Sequence, residues 1–204
     1  DHTSQCYMTW YQKAFDIDEL TGAALSRIEG GSLPSAAGQE VWIEGGRSAA
    51  GNGSLVRTLP IALLYQDNDV RRRIVSMEES SITHFDPHCQ LACAAYNGAI
   101  AHAVNRKAET AQEMLTAAQQ DLDLAEAELI ALHSDESEAI AAAAAKLRSD
   151  LGAANDADPN LYDSELHLLE MQGHVRVALR LAFWQLMHAS SFESGLIDTV
   201  NRGG

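Results

Sequence analysis

The sequence predicts an all-α domain, and three observations carry that expectation. Ala108, Ala111, Leu115, Ala118, Leu122, Ala125, Leu129 and Leu132 recur at alternating spacings of three and four, which puts them on one helix face. Residues with N-cap chemistry stand before several apolar runs. Only residues 39–43 read as strand-like, and that run is short. With 204 residues, 46% of them hydrophobic, the chain can bury one sizeable core.

In chain order, Asp16 and Asp18 are expected to cap the helix that follows them. Short helices are expected over 60–65 and 70–79. Asp86-Pro87 then supplies an N-cap and a proline at the first helical position. The long patterned helix follows, with Glu and Gln on much of its other face. Ser134 and Asp135 break the pattern, and Asp135 with Glu138 makes a capping pair for a helix through 141–145 to about residue 151. These two helices form a hairpin with an alanine-rich seam. Residues 105–151 are expected to be an insertion in a single domain spanning 1–204. Composition makes 152–159 a loop. Helices are expected over 161–172 and 174–189, and a last one, opened by Ser190 and Glu193, runs to about residue 200. Phe183, Trp184, Leu186 and Met187 are expected in the core.

Acidic residues number 29 against 14 basic, a formal net charge of -15. General nucleic-acid binding needs a basic footprint, so that class is excluded, and an anionic membrane surface is disfavoured. A single basic pocket for a small anion remains compatible with this balance. No run of about 18 apolar residues occurs, so no membrane span is expected. Cys6, Cys89 and Cys93 are an odd set without disulfide-framework spacing, which points to the cytoplasm. The start at Asp1 shows neither a cationic nor an apolar leader region and no initiator Met, and a processed or truncated piece is expected.

Gly51-Asn52-Gly53-Ser54, closed by Arg57 and followed by Ser81-Ile82-Thr83-His84, has the parts of a phosphate cradle: converging N–H groups, a cation and a histidine. The alternative is a tight connection in which Arg57 pairs with an acid and His84 is structural. His88, Cys89, Cys93 and His102 include zinc-ligand types, and Cys89 and Cys93 share a helix face. His88 points away from that face, and the segment reads as a helix burying small side chains. Arg71-Arg72-Arg73 reads as a solvated face, Asp156-Ala157-Asp158 as an acidic solvated loop, and Asp121 and Asp123 as diverging mid-helix positions.

Four segments in order resemble the ADP-ribosylglycohydrolase family, which includes the dinitrogenase-reductase-activating glycohydrolases. They are Trp10-Tyr11 with Phe15-Asp16-Ile17; Ala50-Gly51-Asn52-Gly53-Ser54-Leu55-Val56-Arg57-Thr58-Leu59-Pro60; Ser81-Ile82-Thr83-His84-Phe85-Asp86-Pro87; and Arg180-Leu181-Ala182-Phe183-Trp184 through Val200-Asn201-Arg202-Gly203-Gly204. The likeness covers nearly the whole chain, the alanine-rich hairpin excepted. It implies an all-helical fold and hydrolysis of the glycosidic bond joining ADP-ribose to a protein side chain or related acceptor. It also implies two divalent cations, magnesium or manganese, which orient substrate and water while an acidic residue assists proton transfer. By the same likeness Gly51, Asn52, Gly53 and Ser54 hold the pyrophosphate and adjacent ribose, and His84 reaches the same pocket.

The family's metal ligands come from a Thr/Ser-Asp-Asp motif upstream of the Trp-Tyr segment and an Asp-x-Asp-Thr/Ser motif after the paired glycines. This sequence carries neither, and Pro159 follows Asp156-Ala157-Asp158 where Thr or Ser belongs. The chain alone is therefore expected to have substrate-binding residues, no catalytic or metal-ligating residue and no hydrolase activity. The expected partner is ADP-ribose or an ADP-ribosylated protein, with no nucleic acid and no membrane. The alternatives are a non-catalytic ADP-ribose-binding module and a structural helical fragment.

Overall fold

A computed structural model describes residues 2–163 and 165–203, and the described residues form eleven α-helices and no strand. Helix α1 (His2–Tyr11) leads to α2 (Glu19–Glu29). Asp18, not Asp16, is the N-cap of α2, accepting from the Thr21 N–H at 2.9 Å. Helix α3 (Pro34–Glu44) starts on a proline, whose missing N–H is of no consequence there. It contains residues 39–43, which corrects the strand expectation. Ala37, Gly38 and Trp42 are buried at helical spacing, and Gly38 lets α3 meet the end of α6 (Asp69–Ser81) backbone to backbone. The short helices α4 (Gly53–Arg57) and α5 (Leu59–Leu64) lie between them.

Helix α7 (Pro87–Val104) is the centre of the molecule. Asp86 caps it and Pro87 opens it, as the dipeptide predicts. Leu91, Ala92, Cys93, Ala94, Ala95 and Ala99 are all buried, and a helix apolar all round must be covered on every side. Helix α8 (Ala111–Leu132) packs along it, started by a capping box between Thr110 and Glu113. Leu115, Ala118, Leu122, Ala125 and Leu129 form the predicted buried face, but Leu132 at the end of the helix is 61% exposed. The Asp135–Glu138 capping pair does not form: residues 134–136 make a 3-10 turn, and α9 (Ser137–Gly152) starts without a side-chain cap. Ile140, Ala143, Ala144, Leu147 and Leu151 are its buried face. They share one core with α7, α8 and α10 (Val175–His188).

The helix expected over 161–172 is replaced by irregular backbone, with an isolated bridge between Tyr162 and His167. The Asp163 carboxylate accepts from the N–H groups of Glu165 and Leu166, a local bond that competes with helix formation. Leu161, Leu166 and Leu168 are buried at spacings of five and two, which no single helix face would bury together. They pack on Val177 and Leu181 as a small second core, with Trp184 partly buried against it. Phe183 is in the main core, and Leu186 and Met187 pack against it. Helix α11 (Phe192–Asn201) is opened by Ser191 and Ser194, one residue later than the expected Ser190–Glu193 box.

The arginine triplet is also corrected. Arg71 is exposed, but Arg72 and Arg73 turn inward and reach Asp121 Oδ2 and Oδ1 at 2.8 and 3.0 Å, while Arg73 also pairs with Glu128 at 2.8 Å. Asp121 lies buried on α8 against Gly98, and a charge in that position requires partners. A second buried cluster ties α9 to α10: Asp150, 0% exposed, accepts from Arg176 at 2.7 and 3.0 Å and from Arg180 at 2.9 and 2.6 Å. No helix among the described residues is long and apolar enough to cross a membrane.

Candidate functional site

The glycine turn is anchored where α10 begins. Asn52 N–H donates to the Gly173 carbonyl at 2.8 Å and Val175 N–H donates to the Ala50 carbonyl at 2.9 Å, forming an isolated bridge between Gly51 and His174. Helix α4 leaves directly from this anchored point. Asn52 occupies its N-cap position without a side-chain hydrogen bond. The Asn52 side chain therefore supplies no acceptor to the first N–H groups of this five-residue helix.

Side chains lie close over both glycines, and more tightly over Gly53. A Cβ on Gly53 would stand 2.7 Å from Asp18 Oδ2 and 2.8 and 2.9 Å from His84 Cε1 and Nε2. One on Gly51 would stand 3.1 Å from Leu20 Cδ1 and 3.2 Å from His84 Nε2. Asp18 and His84 thus converge on the turn, with His84 Nε2 3.5 Å from Asp18 Oδ1. The His84 side chain is 1% exposed and that of Asp18 46%, so the imidazole forms the inner wall and the carboxylate the rim.

The turn after α6 places His84, whose N–H donates to the Ser80 carbonyl at 2.7 Å. Its Nδ1 lies 2.8 Å from Thr83 Oγ1, which also accepts from Arg57 Nη2 at 2.8 Å. Arg57 donates through Nε to Glu79 Oε1 at 2.8 Å and lies over the Tyr7 ring at 5.1 Å, while the Tyr7 hydroxyl donates to Glu79 Oε1. The cation that closes the turn is therefore paired to an acid and acts on the site through Thr83.

Burial holds the His84 imidazole down at about 4; the Asp18 charge works against that shift and the Arg57 charge adds to it. Burial pushes the Asp18 carboxyl up, but the hydrogen bonds from Thr21, helped by His84 and Arg57, outweigh it and hold it below its usual value. At neutral pH the turn faces a neutral imidazole and a carboxylate.

The structure brings Gly51, Gly53 and His84 together, with Asn52 at the start of α4. The Ser54 hydroxyl points inward, 2.8 Å from Ser80 Oγ and 3.6 Å from Cys93 Sγ, and the residue is fully buried. Sequence reasoning took Asp18 for a cap alone. The cap signal was readable, but its place over Gly53 depends on how α2 lies across the turn. His174 was also missed; burial, with the neighbouring His88, holds it down at about 4.

The residues considered for zinc are engaged separately. His88 Nδ1 is 2.8 Å from Asp86, Cys89 Sγ is 3.2 Å from the Gly51 carbonyl, and His102 Nδ1 is 2.9 Å from the Gly98 carbonyl. Among the described residues no three His, Cys, Asp or Glu side chains converge on a metal position. Among the described residues, Asp18 and His84 are the metal-ligating side chains that meet over the turn, and Asp156 and Asp158 sit in an exposed loop. These residues do not fit the pair of divalent cations that the resemblance implies.

A sizeable cavity lies elsewhere. It is a mostly apolar groove of about 580 Å³ between α7, α8, α10 and α11, lined by residues including Tyr96, Met114, Phe183, Leu186 and Phe192. It has none of the polar groups that converge on the glycine turn. No curated protein and no solved structure is significantly similar to the chain. The family model described as ADP-ribosylglycohydrolase matches residues 1–204, the whole chain, and the protein belongs to that family.

Proposed function

We propose that this chain binds ADP-ribose, free or as the modification on a protein, at Gly51, Asn52, Gly53, Ser54 and His84. The observation that carries the reading is the convergence of His84 and Asp18 over the glycine turn, where a Cβ on Gly53 would stand under 3.0 Å from both. Main-chain N–H groups at the turn suit phosphate oxygens. A neutral imidazole offers one hydrogen bond without adding charge, and the Asp18 carboxylate at the rim accepts from a ribose hydroxyl. Family membership supplies the chemistry around that ligand, hydrolysis of an ADP-ribosyl bond.

Divalent cations, where held, would supply Lewis-acid chemistry to such a hydrolysis. The described residues lack a ligand cluster for these ions, so the roles read here are those of binding. The chain alone is expected to hold ADP-ribose without cleaving it from an acceptor. Calorimetric titration with ADP-ribose tests the first half, and release of ADP-ribose from a modified protein in magnesium or manganese tests the second. Saturable binding that is lost in Gly53→Ala and His84→Gln is expected. No heat at millimolar ADP-ribose refutes the binding, and metal-dependent release by these 204 residues refutes the division between holding and cutting.

A further inference from the structure

We propose that Thr83, gripped by Arg57, sets the tautomer of His84, so that Nε2 carries the proton and donates into the space over Gly51 and Gly53. A guanidinium only donates, so Thr83 Oγ1 accepts from Arg57 Nη2 at 2.8 Å and keeps its own proton for another acceptor. The His84 Nδ1 lone pair is 2.8 Å away and fills that role. A proton on Nδ1 instead would aim two donors at one hydroxyl and strand the hydroxyl proton. Thr83 is 1% exposed, and an unmade hydrogen bond there is unfavourable.

With Nδ1 accepting, the neutral ring has its N–H at Nε2. That atom is buried, has no hydrogen-bond partner and lies 3.5 Å from Asp18 Oδ1, beyond a good hydrogen bond. This buried donor lies directly over the two glycines behind the Asp18 carboxylate, so an acceptor oxygen of a ligand reaches it once that exposed rim side chain swings aside. Thr83 is a positioning residue: it acts through His84. Arg57 is held in turn by Glu79 and Tyr7. The tautomer itself is independent of any ligand; only its consequence for affinity rests on the ADP-ribose reading above.

Nitrogen-15 spectra of histidine-labelled protein at neutral pH read the tautomer directly, the His84 signal being identified by its loss in His84→Gln. Thr83→Val keeps the branched shape and removes the hydroxyl, and Thr83→Ser restores it. The wild type is expected to show a protonated Nε2 and a bare Nδ1. In Thr83→Val that preference should be lost and ADP-ribose affinity should fall roughly five- to tenfold, the worth of about one hydrogen bond. Thr83→Ser should recover both. A wild-type ring protonated at Nδ1 overturns the proposal, as does an unchanged tautomer in Thr83→Val. Should the valine variant fail to fold, the wild-type and serine spectra decide alone. The expected tautomers without ADP-ribose binding support the proposal and overturn the ligand reading instead.

Discussion

Lowering the pH from about 7 to about 4.5 is expected to weaken the fold through His84, and the size of the effect follows from its burial. The ring titrates near 6.5 in an unfolded chain and at about 4 in the folded protein, where desolvation is the largest cause. Because the folded value is depressed, the unfolded chain binds more protons between these limits. The stabilising contribution is complete above about pH 6.5 and is lost as the pH falls toward about 4. At about 1.4 kcal/mol per pH unit, the gap corresponds to about 3 kcal/mol. Urea unfolding followed by circular dichroism, at steps across this window, gives the slope for the wild type. The same series on His84→Gln should be flatter by about that amount. Taking the difference removes His174, which burial also holds at about 4, and the carboxylates common to both proteins. Equal slopes for the two proteins, or an NMR titration placing the His84 ring near its ordinary value, would refute the reasoning.

Gly53→Ala should abolish ADP-ribose binding while lowering stability by roughly 0–3 kcal/mol, because overpacking of about 1–3 kcal/mol is offset by up to about 1 kcal/mol of helix propensity. Calorimetry and a melting curve check it, and wild-type affinity in this variant contradicts the close approach of Asp18 and His84. Asp150→Ala leaves the buried Arg176 and Arg180 without their carboxylate and should destabilise by roughly 3–5 kcal/mol. At roughly 2–4 °C per kcal/mol for a chain of this length, the melting temperature should drop by roughly 6–20 °C, and a shift within about 2 °C contradicts the clamp.

What the sequence determined by itself is local. Spacings of three and four predicted α8 and its buried face, and Asp86-Pro87 predicted the start of α7, because caps and helix faces involve residues within a turn or two of each other. The Gly51–Ser54 turn and His84 were legible as a candidate pocket for the same reason: each segment carries its own chemistry. Local signals also misled where tertiary packing overrode them. Residues 39–43 read as a short strand-like run yet lie in α3, whose Gly38 docks on the end of α6. Three consecutive arginines read as solvated, yet two of them turn inward to a carboxylate on α8.

Only the tertiary structure decided the rest. It placed the Asp18 carboxylate over Gly53, turned the Ser54 hydroxyl inward, and linked Arg57 to His84 through Thr83. None of these is encoded by spacing along the chain. Which side chain faces which charge depends on how helices distant in sequence cross, and burial then decides whether a histidine is neutral and which of its nitrogens is left to meet a ligand.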